Sequence, residues 1–195
     1  MSDHEQQPQE PGVPEQEPRW RPRIYVASLA DYNAGRLHGA WLDAARHRDE
    51  LEADIAAMLA ASREPIAEDW AIHDYDGFGP LHLAEHEDLD TIARVANGIA
   101  LHGEPFAAFA AWVGPGEANV ERFDDQYWGS WDSREHYAEE MASELGFTAF
   151  LEQVPAPLQP YVHVDYAGFA RDLEASGHIH VADLSTGQVA VFEGG

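Results

Sequence analysis

The chain contains no cysteine and no lysine. Without thiols there is no disulfide, no thiolate zinc site and no cysteine nucleophile. Without lysine there is no Schiff-base chemistry and no P-loop lysine to hold phosphates. Long apolar runs are missing too. No stretch reaches the roughly 18 apolar residues that a membrane-spanning helix needs. Residues Met1 to Pro22 lack the apolar centre of a signal peptide, so a cytoplasmic protein off the membrane is expected. No G-x-S-x-G, P-loop or dinucleotide fingerprint occurs. The chain is therefore not expected to be an enzyme or to carry a cofactor.

Positive charge is the remaining deficit. Eleven basic residues, all arginine, face 36 carboxylates across 195 residues, for a net charge of −25 with histidine neutral. Hydrophobic residues make up 45 %, enough for a packed core in one ordinary domain or in two to three small ones. An acidic surface repels nucleic acid and anionic membranes, and its natural partners are basic proteins or cations.

Along the chain the pattern predicts an α+β fold. Residues 1–22 carry Pro8, Pro11, Pro14, Pro18 and Pro22 amid Gln and Glu, and read as a disordered tail. Residues 23–84 read as a small sheet plus helix. Its strands are Arg23–Leu29, Leu37–Leu42 and Trp70–Tyr75, with a turn at Asp31–Gly35. Its helix, Arg48–Ala61, places Leu51, Ile55 and Met58 on one face. Residues 85–117 form a helical middle: Leu89, Ile92, Val95 and Ile99 keep helical spacing, and a second helix opens at Pro105 and stops at Gly114. Residues 118–195 read as a second α+β unit. A helix over Trp131–Leu145 and another capped by Asp165 precede a hairpin of Ile179–Leu184 and Val189–Phe192. The tryptophans and tyrosines, Trp41, Trp70, Trp112 and Tyr161 among them, read mostly as core.

The negative charge is concentrated. Residues 64–152 hold 20 carboxylates against Arg94, Arg122 and Arg134, a net −17, while the other 106 residues carry −8. One cluster is Glu85, Glu87, Asp88 and Asp90. Another is Asp124-Asp125, with Glu117 and Glu121 as further candidates before it. A third runs from Asp132 through Glu135, Glu139 and Glu140 to Glu144. Like charges three or four residues apart on a helix repel by a few tenths of a kcal/mol per pair. Helix N-termini favour carboxylates only in the first turn, which does not reach Glu139, Glu140 or Glu144. Duplex DNA carries about one charge per 1.7 Å of axis, so 25 charges match roughly 42 Å, and a dimer with 50 roughly 85 Å, of duplex. Those thirteen carboxylates are the candidate partner-binding residues, as phosphate substitutes. The same composition also serves solubility, an acidic adaptor for some other basic protein, or a halophile-type enzyme that needs molar salt to fold.

Other constellations carry chemistry on paper. His82-Leu83-Ala84-Glu85-His86 matches an H-x-x-E-H metallohydrolase pattern, which requires both histidines on one long helix. The match sits beside Gly79-Pro80, at a loop-to-helix junction. Asp74-Tyr75-Asp76-Gly77 has the start of a calcium loop, but Phe78 stands where an oxygen ligand belongs. His178 and His180 alternate onto one face of a strand, read as solvated. No metal is expected.

Three blocks then carry a family resemblance. They are Tyr25-Val-Ala-Ser-Leu-Ala-Asp-Tyr32-Asn33-Ala-Gly35 with Leu37, Gly39 and Trp41; Ala71-Ile72-His73-Asp74-Tyr75; and Val154-Pro155-Ala156-Pro157-Leu158 with Tyr161, Asp165-Tyr166 and Phe169-Ala170-Arg171-Asp172-Leu173. In this order they resemble the antirestriction protein ArdA family over about residues 23–193. The resemblance implies an elongated, curved chain of three small domains that pairs into a homodimer imitating bent B-form DNA. It also implies competitive inhibition of type I restriction-modification enzymes, protecting incoming mobile DNA of phage or plasmid origin. The Pro/Gln-rich N-terminal extension departs from the family pattern.

Overall fold

The computed structural model describes residues 20–195. The described residues form eight α-helices and two three-stranded antiparallel sheets, an α+β fold. The tail expected over residues 1–22 lies outside them as far as residue 19. Trp20 to Pro22 already belong to the fold: Trp20 packs on the core, and the buried Pro22 accepts a hydrogen bond from the Ala44 amide at 2.9 Å.

The first sheet has β1 (Arg23–Ser28) at its centre, between β2 (Gly39–Asp43) and β3 (Trp70–Asp76). Ile24 and Val26 of β1 are fully buried, as are Leu42 and Ile72 of its neighbours. The residues between the strands are not a bare turn. They open with a short helix, α1 (Leu29–Asn33), because the Ser28 side chain accepts the Asp31 amide at 3.3 Å. The Asp31 carboxylate is buried and takes hydrogen bonds from Ser62 and Arg36, and Arg36 also pairs with Glu64. The Ser62 hydrogen bond, helped by Ser28 and Arg36, holds Asp31 below the usual carboxylate range against the opposing effect of burial. Helix α2 (Arg48–Ala60) starts with a reciprocal cap between His47 and Glu50 and buries Leu51, Ile55 and Met58.

Trp41 corrects one expectation. It is 43 % exposed on the outer face of the sheet, against Tyr25 and under the Arg23 guanidinium at 4.6 Å. Its neighbour Leu42 points inward, and strand alternation sends Trp41 the other way. Tyr161, 80 % exposed, is not core either.

Helix α3 (Leu89–His102) is capped by Asp88 and ends at Gly103, whose φ of +72° lets α4 (Glu104–Val113) begin at once. The two helices approach closely at Gly98, where a β-carbon would fall inside the Phe106 ring. Replacing a helical glycine by alanine normally helps. Here Gly98→Ala is expected to lower stability by about 1–3 kcal/mol through overpacking, read as a drop in unfolding midpoint; a gain would show that the helices separate freely.

The last third holds elements the pattern did not announce. Helix α5 (Val120–Gln126) runs directly into β4 (Tyr127–Trp131), so the region before Trp131 is helix and strand. Helix α6 covers Arg134–Glu144, capped by Ser133, and is shorter than the expected Trp131–Leu145. A further helix, α7 (Phe147–Glu152), and a 3-10 turn at Gln159–Tyr161 precede α8 (Tyr166–Ala175), which Asp165 caps as expected. The hairpin β5 (Ile179–Asp183) and β6 (Val189–Glu193) completes the second sheet, ordered β4-β6-β5.

Strand β6 explains how the two sheets join. Val189, Ala190, Val191 and Phe192 are all buried, so both of its faces are covered. Ala190 and Phe192 enter a core that runs from Ile24 through Ile92, Phe106, Phe109 and Phe123. Val189 and Val191 face a smaller core with Tyr137 and Ile179 beneath α6 and α8. Glu104, at the start of α4, accepts both the amide and the hydroxyl of Ser185 at 2.7 Å and ties α4 to the hairpin turn.

Candidate functional site: the acidic surface

The thirteen candidate carboxylates fall on four consecutive stretches. Glu85, Glu87 and Asp88 lie in the loop after β3, held along that edge strand by the Ile72 amide donating to the Glu85 carbonyl at 2.9 Å. Asp90 is in the first turn of α3. Glu117 lies in the α4–α5 loop, and Glu121, Asp124 and Asp125 are on α5. Asp132 precedes α6, which carries Glu135, Glu139, Glu140 and Glu144. All are exposed except the half-buried Glu87.

Helix α6 sorts its four glutamates. It buries Tyr137, Ala138 and Ala142. At 100° per residue, Glu135 and Glu139 fall on one flank of that stripe and Glu140 and Glu144 on the other. The surroundings agree. Glu135 and Glu139 border a groove against Val164–Ala167, whereas Glu140 and Glu144 border a cleft with Trp128 and Trp131. Within each pair the carboxylates are about 6 Å apart along the axis. The structure thus gives two short rows on α6.

Among the described residues, most of the arginine pairs involve other carboxylates. Arg23 pairs with Asp76, Arg36 with Asp31 and Glu64, and Arg46 with Asp54. Arg134 bridges α6 to Asp183 of β5 and Glu174 of α8, and holds Asp183 below the usual carboxylate range. Arg171 faces Asp165, and Arg94 donates to the carbonyls of Pro115, Gly116 and Ala118. These partners are outside the candidate set. Within it, Arg48 lies 3.7 Å from Asp90 and Arg122 3.5 Å from Glu117. His136 stands between Asp132 and Glu140, at 3.9 and 3.4 Å.

The H-x-x-E-H residues do not share a helix. His82, Glu85 and His86 lie in the loop, with His82 Nδ1 at 3.2 Å from the Tyr75 hydroxyl. Among the described residues no group of three or more His, Asp or Glu is placed to hold a metal ion, and no helix is long and apolar enough to cross a membrane. His180 is not on a solvated face. It stacks on Trp112 at 4.3 Å, and burial lowers its pKa.

Sequence reading missed one part of this surface, the aromatic cleft beside Glu140 and Glu144. The signal is Tyr127-Trp128-Gly129-Ser130-Trp131, a strand-like aromatic run of which the expected helix Trp131–Leu145 takes only the last residue.

Fold and surface define a strongly acidic α+β protein whose basic residues are directed mainly to internal pairs. Residues 24–187 match the family model of the antirestriction protein ArdA. The chain belongs to that family, and its function is antirestriction. A comparison with curated proteins found no match.

Proposed function

We propose that the exposed carboxylates stand in for DNA phosphates, and that the chain occupies the DNA-binding groove of a type I restriction-modification enzyme and inhibits it by competition. The site of action is the cytoplasm of the bacterial host, and the acting form is a homodimer. One observation carries this reading: twelve of the thirteen candidate carboxylates are exposed, while among the described residues at least seven arginines make carboxylate pairs, Arg23, Arg36, Arg46, Arg134 and Arg171 with acids outside that set. A groove lined with arginine and lysine attracts such a surface at long range and accelerates association.

The test is a competition experiment. A purified type I enzyme binds labelled DNA with and without this chain across a salt series. Displacement of DNA is expected, and direct binding of the chain to the enzyme, measured without DNA, should weaken as salt rises. Direct binding that is indifferent to salt, or inhibition that leaves DNA bound, would refute the mimicry. An acidic adaptor for a different basic protein would give the second of these results.

A further inference from the structure

The cleft on the far flank of α6 is built. It holds about 290 Å³ and is lined by Trp128, Trp131, Tyr137, Glu140, Met141 and Glu144. That volume is at the lower limit of small-molecule sites and suits one side chain. The strand that supplies the two tryptophans is irregular. Tyr127 pairs with Phe192 and Gly129 with Val191, so Trp128 is an extra residue in a β-bulge. In a regular strand, residues three apart face opposite sides. The bulge and the positive φ of Gly129, +140°, bring Trp128 and Trp131 to the same cleft. The Trp131 ring lies over Gly129, where a β-carbon would meet it at 3.1 Å.

Tyr137 forms the floor. Its ring meets Trp131 edge-on at 4.8 Å and lies near-parallel to Trp128 at 6.4 Å. The residue is 3 % exposed, and its hydroxyl has no hydrogen-bond partner among the described residues. Burial pushes that hydroxyl up to about 12, and the nearby charge of Glu144 adds to the effect. A buried polar group without a partner is costly, and native proteins rarely leave one unmet. The rim is acidic: Glu140 accepts the Trp131 indole N–H at 2.7 Å, and Glu144 stands one turn further along the helix.

We propose that this cleft receives one arginine side chain of the target protein, its guanidinium stacked against the Trp128 and Trp131 indoles and paired with Glu140 and Glu144. The proposal rests on the inhibitor reading above and adds an anchor to an otherwise distributed surface. Aromatic faces attract cations. A planar guanidinium stacks on an indole and pairs with carboxylates in a way that an ammonium does not. Interface energy concentrates in such partly enclosed aromatic and arginine contacts.

Two measurements on the full chain test it. In the first, indole N–H signals are followed while N-acetyl-argininamide is added. Saturable shifts of the Trp128 and Trp131 signals are expected, with no response to the neutral citrulline analogue and a weaker one to the lysine analogue. Equal responses to arginine and citrulline, tighter binding of lysine, or shifts confined to other indoles would overturn the pocket. In the second, Trp128→Ala, a half-exposed position, is expected to raise the concentration for half-inhibition by about tenfold. Glu144→Gln, an exposed position on the rim, should weaken argininamide binding without loss of fold. Unchanged inhibition by Trp128→Ala overturns the anchor and leaves mimicry standing. A wild-type chain that binds argininamide but displaces no DNA keeps the pocket and overturns the restriction enzyme as its target. If Trp128→Ala instead converts a dimer to monomers in sedimentation, the cleft belongs to a second copy and the proposal fails.

Discussion

Replacing Glu135, Glu139, Glu140, Glu144, Asp124, Asp125 and Asp132 together by their amides is expected to weaken inhibition by more than about 100-fold while the fold survives. The two halves of that outcome have separate causes. Each position is exposed, so little packing is lost. The Glu135/Glu139 and Glu140/Glu144 pairs repel across one helical turn, and neutralising them returns a few tenths of a kcal/mol each. A glutamine at 140 still offers an oxygen to the Trp131 indole. The unfolding midpoint should therefore stay level or rise. Inhibition should behave in the opposite way, because each removed charge takes away a partner for a cation of the DNA-binding groove. Glu139→Gln alone should shift half-inhibition by less than about twofold, since exposed charge pairs are individually weak. A sevenfold variant that inhibits like the wild type would show that charge is not the means. A collapse of the midpoint would show that these carboxylates hold the fold.

How much of this was legible in the sequence depended on the range of the interaction. Helices α2, α3 and α4 were legible because their apolar spacing, and a stop such as Gly114, lie within one turn of the residues they affect. The acidic clusters were legible as clusters for the same reason. Strand alternation was sufficient to turn Trp41 outward, opposite Leu42, but aromatic character outweighed it. The four consecutive apolar residues of β6 fit a strand covered on both faces, yet what covers each face is set by α4 and α6, far away in the chain. The arginine pairs were hidden for the same reason. Arg134 reaches Asp183 across 49 positions and Arg23 reaches Asp76 across 53. No local pattern reveals that these cations are occupied, and their occupation directs them away from most of the candidate carboxylates. The bulge at Trp128 is a mismatch between two strands, so β4 alone could not disclose it.

Phe123→Ala is expected to cost about 3–5 kcal/mol, and roughly 6–20 °C in midpoint for a chain of this size. Phe123 is fully buried, on the short helix α5. Its ring lies 5.2 Å from Phe106, 5.5 Å from Phe109, 6.2 Å from Phe192 and 4.7 Å from both Tyr127 and His102. Those rings come from α3, α4, β4 and β6, so the cavity opens where the middle helices meet the second sheet. The same core continues to Ile24 and Val26 of the first sheet. Stability lost at Phe123 should therefore be felt at both ends, and native-state hydrogen exchange reads this directly. Amides of β1 and β6 should lose protection together, and calorimetry should show one transition. If β6 loses protection while β1 keeps it, the first sheet folds on its own, as a chain of separate small domains requires. The surface argument would then stand on independent pieces, and the spacing between the carboxylates after β3 and those on α6 would be set by hinges rather than by one shared core.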